Sequence, residues 1–137
     1  MKVSLDQLEK RLTLHPEGLH EVLQRWGFVP LLPVLEHPLT EGAPWLQQLA
    51  SRLFRPDFPW VEAPVQELLL WTLTDPSCPP SWPEKALDWI ESGAAITPPI
   101  AVALEQFSSD KRHSQFLRHR AMAKFAAWKL RGRALGA

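Results

Sequence analysis

Apolar residues recur along this chain at intervals of three and four, the spacing that places them on one face of an α-helix. Leu5, Leu8 and Leu12 follow it first, and Ser4 with Gln7 has the form of a capping box ahead of them. After the break at "HPEG", Leu19, Val22, Leu23 and Trp26 repeat the pattern, and Gly27 stands where a C-terminal cap belongs. Leu46, Leu49, Ala50 and Leu53 share a third face, with Pro44 as the predicted opening residue. The run "VQELLLWTLT" after Pro64 is apolar nearly all round, which predicts a buried central helix. Ser81 with Glu84 forms a second capping-box pattern before Ala86, Leu87 and Ile90, and Gly93 ends that segment. Thr97 and the two prolines after it open a further helix carrying Ile100, Ala103, Leu104 and Phe107. Asp110 is the predicted N-cap of a terminal helix that stops near Arg131, just ahead of Gly132.

The segments between these helices are rich in proline and tryptophan. "FVPLLPVLEHP" is apolar without a period, and Pro30, Pro33 and Pro38 exclude a long α-helix there. It predicts an apolar connector lying over the core, or else a strip that a partner covers. No alternation of period two and no β-branched run speaks for strands. The expectation is an all-α fold: a single compact domain of six or seven short helices, Pro/Trp-rich loops, and a longer basic C-terminal helix.

Charge changes this picture. The chain is formally neutral, yet its two parts are not. Within residues 109–137, Lys111, Arg112, Arg118, Arg120, Lys124, Lys129, Arg131 and Arg133 stand against Asp110 alone, a net charge of +7. Residues 1–108 hold seven basic and fourteen acidic residues, the compensating −7. The chain therefore divides into an acidic helical body, 1–108, and a basic amphipathic helix, 109–137, packed on it or extending from it. On a helix, Leu117, Ala121, Phe125, Trp128 and Leu135 fall on one narrow seam. Lys111, Arg118 and Lys129 flank one side of that seam, and Arg120, Lys124 and Arg131 flank the other.

Two basic rails of this kind suit a nucleic-acid phosphate backbone, where each neutralised phosphate releases counterions. Gln115 is the segment's sole amide side chain, which argues against reading of bases. The same rails suit an acidic protein, the chain's own acidic body, or plain solvation. The seam is narrow and diluted with alanine, which disfavours a membrane surface.

Trp45, Trp60 and Trp82 sit beside prolines at loop–helix junctions. They either form a surface that holds a protein partner or anchor each loop on the core, the indole N–H finding a carbonyl. Catalytic signatures are missing. There is no glycine-rich phosphate loop, His20-Glu21 lacks the second histidine of a zinc-protease helix, and His15 and His20 lie five apart. Cys78 has no local histidine or cation to lower its pKa, and Glu36-His37 reads as well as an exposed turn as an acid–base pair. No cofactor or metal site is expected.

The lone cysteine and the polar start "MKVSLDQLEK", which lacks a signal-peptide core, point to the cytoplasm. The longest apolar runs are far too short to span a bilayer. The reading is a non-catalytic helical binding subunit of a macromolecular assembly, whose basic helix contacts phosphate backbone without sequence readout. The alternative is a protein adaptor or assembly chaperone, its basic helix docked on an acidic partner and its Pro/Trp surface holding a client.

Overall fold

A computed structural model of the chain describes residues 3–13, 28–53, 63–76 and 78–136. The expected helix over 19–26, its Gly27 cap and Trp60 lie outside the described residues. Every regular element among the described residues is helical, and the fold is all-α. The chain's contacts divide into two units, Met1–Leu68 and Leu69–Ala137.

In the first unit, α1 (Leu5–Thr13) packs with a 3-10 helix (Val29–Glu36) and with α2 (Leu39–Leu53). The capping box on α1 forms as expected. The Ser4 N–H donates to Gln7 Oε1 at 3.3 Å, and the Gln7 N–H donates to Ser4 Oγ at 3.2 Å. The predicted connector is itself a helical part of the core, with Leu31, Leu32, Val34 and Leu35 all buried. Its prolines lack N–H donors, which excludes a regular α-helix, and the segment runs as a 3-10 helix.

Helix α2 begins at Leu39 rather than at the expected Pro44, which lies inside it. The Pro38 carbonyl accepts both the Glu41 and Gly42 N–H groups, at 3.0 and 2.9 Å, so the first turn is set before Pro44 is reached. Pro44 then deletes a bond to Thr40, which is exposed and open to water. Leu46, Leu49 and Ala50 are fully buried. Two long-range links close the unit: His37 Nε2 lies 2.6 Å from the Val3 carbonyl oxygen, and Arg52 Nη2 donates to Glu9 Oε1 at 2.6 Å.

Helix α3 (Pro64–Thr74) carries the boundary between the units and buries Val65, Leu68, Leu69, Thr72 and Leu73. In the second unit, α6 (Gln115–Gly136) packs against both α5 (Pro98–Ser109) and α4 (Trp82–Glu91). Ala86, Leu87, Trp89 and Ile90 of α4, and Ile100, Ala103, Leu104 and Phe107 of α5, form its core as the spacing predicts. Ala101 and Ala121 are wholly buried.

Some ends of these helices correct the expectations. Ser81 makes no side-chain cap on α4, because its backbone is already helical (φ −79°, ψ −19°) instead of extended. Asp110 does not cap α6; it terminates α5, its N–H donating to the Phe107 carbonyl at 3.1 Å. Ser114 takes the capping place, its Oγ accepting the Leu117 N–H at 3.2 Å. The third end follows the pattern. Ala94 N–H reaches back to the Trp89 carbonyl at 3.1 Å and Gly93 N–H to the Ile90 carbonyl at 3.2 Å, a Schellman closure with Gly93 at φ +113°. Gly132, by contrast, does not stop α6, which continues to Gly136. A single glycine costs a helix only about 1 kcal/mol, too little to end it alone.

The two glycines therefore respond oppositely to alanine, although an added Cβ meets nothing within 4 Å at either. Gly93→Ala is expected to lower stability by about 1–2 kcal/mol, because an L-residue is strained at positive φ. Gly132→Ala is expected to raise it by about 0.5–1 kcal/mol. Urea unfolding of the two variants checks the sign of each.

Candidate binding face on the C-terminal helix

Helix α6 contains no acidic residue, so its charge is balanced only by what its neighbours supply. Residues 69–108 of the same unit hold five acidic side chains against Lys85. Two of them are used. Arg120 donates from Nη2 to Asp88 Oδ1 at 2.6 Å and to Glu91 Oε1 at 2.8 Å, and from Nε to Glu91 Oε2 at 2.8 Å. Asp88 and Glu91 lie three apart on α4, so both carboxylates face the same guanidinium.

The Arg120 side chain is 14% exposed, with Nε and Nη2 both bonded to carboxylate oxygens. Its hydrogen bond to Glu91 raises its own pKa and holds the Glu91 carboxyl below the ordinary glutamate value. The Arg120 guanidinium also lies over the Phe116 ring, 5.6 Å from its centroid. Arg120 is thus an internal clamp between α6 and α4, and its charge is spent inside the molecule.

The other predicted cations divide into three groups. Arg112 closes on Asp110 two residues away, Nε to Oδ1 at 3.0 Å and Nη2 to Oδ2 at 2.7 Å, and this pairing lowers the Asp110 pKa. Arg118 and Lys124 are half-buried, and Arg118 Nε has no hydrogen-bond partner among the described residues. Lys111, Lys129 and Arg131 are exposed, with Lys129 Nζ 5.9 Å from the centre of the Phe125 ring. The side chain of Arg133, like that of Leu135, lies outside the described residues.

The predicted seam is present but shallow. Ala121 is fully buried, whereas Leu117, Phe125 and Trp128 are half-buried. Phe125 and Trp128 stack on each other, ring centres 6.3 Å apart. The opposite face holds the feature that sequence reasoning missed. Phe116 and Leu130 are 66% and 64% exposed, and Ala123, Ala126 and Ala127 between them are exposed as well. Phe116, Ala123, Ala127 and Leu130 stand 7, 4 and 3 apart, which returns them to one face of the helix. That spacing is present in the sequence, but apolar residues on both sides of a helix look alike until one side is packed.

Of the predicted tryptophan surface, Trp45 and Trp82 are half-buried, and the Trp45 indole N–H finds no partner among the described residues. Cys78 is half-buried, and burial followed by the charge of Asp75 pushes its thiol up to about 11, so it is protonated at neutral pH. It lines a cavity of about 280 Å³ together with Asp110 and His113. His113 stacks on Phe107 with 3.7 Å between ring centres, and burial pushes its pKa below the ordinary value against the pull of Asp110. Among the described residues no cluster of His, Cys, Asp or Glu is placed to hold a metal ion. No described helix is long and apolar enough to cross a membrane. Comparison with protein-family models, with curated proteins and with solved structures yields no match to this chain.

Arg120→Gln is expected to cost about 1 kcal/mol at neutral pH, a modest figure because both carboxylates remain accessible to water. Glu91's depressed pKa adds stability above its ordinary value of 4.5, and that stability is lost as pH falls through the folded value. The difference between wild type and variant should therefore shrink below about pH 4.5. Unfolding curves collected from neutral pH into the acid range check this.

Proposed function

We propose that the chain is a non-catalytic binding subunit of a macromolecular assembly and that α6 docks it on an acidic protein partner. The observation that carries this reading is the outward face of α6, where Phe116 and Leu130 are largely exposed on a helix that has no acidic residue. Phe116 at i and Leu130 at i+14, with Ala123 at i+7 and further alanines between them, suit close approach of another helix or an apolar groove. The exposed cations beside them, Lys129 and Arg131, suit a rim of carboxylates. The Arg120 clamp and the Arg112–Asp110 pair remove two cations from the set first assigned to a phosphate backbone.

Contact with nucleic-acid backbone is the second reading. It is favoured by the exposure of Lys111, Lys129 and Arg131 without an acidic residue on α6. Such binding would be steeply salt-dependent and indifferent to the apolar face.

The two readings separate on two pairs of variants, Phe116→Ser with Leu130→Ser and Lys129→Glu with Arg131→Glu. A photo-crosslinking residue at Ala123 in the full chain, expressed in its host, is expected to capture an acidic protein identified by mass spectrometry. The Ser pair should abolish that adduct. Affinity for generic single- or double-stranded oligonucleotide, measured from about 50 to 200 mM salt, decides against docking if it is lost in the Glu pair and unchanged in the Ser pair.

A further inference from the structure

Beyond the outward face, α6 takes part in a groove on its own flank. Trp128 and Lys124 stand roughly 80–120° around the helix from Phe116, toward the segment that joins α4 to α5. The groove has a volume of about 580 Å³, within the range of ordinary small-ligand sites. Its floor is apolar: Ile90, Ala94, Ile96 and one side of Trp128. Ile90 and Ala94 are buried beneath it, while Ile96 and Trp128 remain partly open to solvent. The Schellman closure at Gly93 turns the chain here, so the wall of the groove is set by backbone geometry.

Lys124 and Arg131 line it as well. The nearest carboxylate, Glu91, also lines the groove, but both of its oxygens are held by Arg120. Lys124 acts on Glu91 only through its field, and neither Lys124 nor Arg131 has an ion-pair partner among the described residues. An apolar floor with two unspent cations in the same lining matches a hydrocarbon body carrying one negative group.

We propose that this groove binds an apolar monoanion, a carboxylate borne on a flat or branched hydrocarbon body, with the hydrocarbon on Trp128 and Ile96 and the carboxylate between Lys124 and Arg131. The same chemistry is presented by a free organic acid and by the C-terminal carboxylate of a polypeptide ending in an apolar residue.

The test uses the full chain and 2-naphthoate as probe, with 2-naphthalenemethanol as its uncharged counterpart. Binding is followed by calorimetry and by the Trp128 indole N–H resonance, assigned from its loss in Trp128→Phe. Naphthoate is expected to shift that resonance and to bind at least about tenfold more tightly than the alcohol. Lys124→Gln with Arg131→Gln should weaken naphthoate by about tenfold or more while leaving alcohol binding and the circular dichroism unchanged. Equal binding of acid and alcohol, unchanged naphthoate affinity in the Gln pair, or no movement of the Trp128 resonance at saturation would each overturn the proposal. A peptide ending in Leu with a free carboxylate, compared with its amide, separates the sources. Displacement of naphthoate by the free carboxylate alone assigns a polypeptide end, and no displacement by either assigns a free acid.

Discussion

The fork of Arg120 between Asp88 and Glu91 decides how the charge of this protein is used. It fixes α6 on α4 through a planar group that cannot be deprotonated and that meets both carboxylates edge-on. The clamp sits one residue before Ala121, whose small, fully buried side chain allows the helices to come close. Together they set the rotation of α6. Once that rotation is fixed, Phe116 and Leu130 point away from the body, and Lys124, Trp128 and Arg131 line the groove beside it.

Helix ends do comparable work. Three residues, Gly93, Asp110 and Ser114, set where α4, α5 and α6 stop and start. Gly93 reverses the chain without strain because it has no Cβ, and the segment after it lies along α6. Asp110 gives its own backbone N–H to the Phe107 carbonyl at the end of α5 and spends its carboxylate on Arg112. Ser114 then starts α6 afresh. Two surfaces of α6 thus remain open, and they differ in kind. The outward face is broad and apolar with cations at its margin. The flank is a groove lined by apolar residues together with Lys124 and Arg131.

Most helices were legible because their apolar residues recur at three and four, and packing confirmed those faces at Leu8, Leu49, Leu87 and Leu104. Local chemistry was legible where both partners lay within one turn, as in the Ser4–Gln7 box and the Gly93 closure. It misled where two donors or acceptors competed for one role. Ser81 and Asp110 are good cap residues by type, yet the backbone at Ser81 and the nearby Arg112 drew them elsewhere. Proline is favoured in a first helical turn, which makes Pro44 a natural start by type, but the Pro38 carbonyl has already set that turn.

By itself the sequence determined that this protein is helical, that its positive charge gathers in residues 109–137, and that Leu117, Ala121, Phe125 and Trp128 share one side of the last helix. These follow from spacing and composition, which are properties of neighbours along the chain. Only tertiary structure decided which cations are free. The partners of Arg120 lie 29 and 32 residues away, and an ion pair over that separation leaves no periodic trace. Tertiary structure also decided which of two apolar sides of α6 is packed, because burial depends on what the rest of the chain places against it.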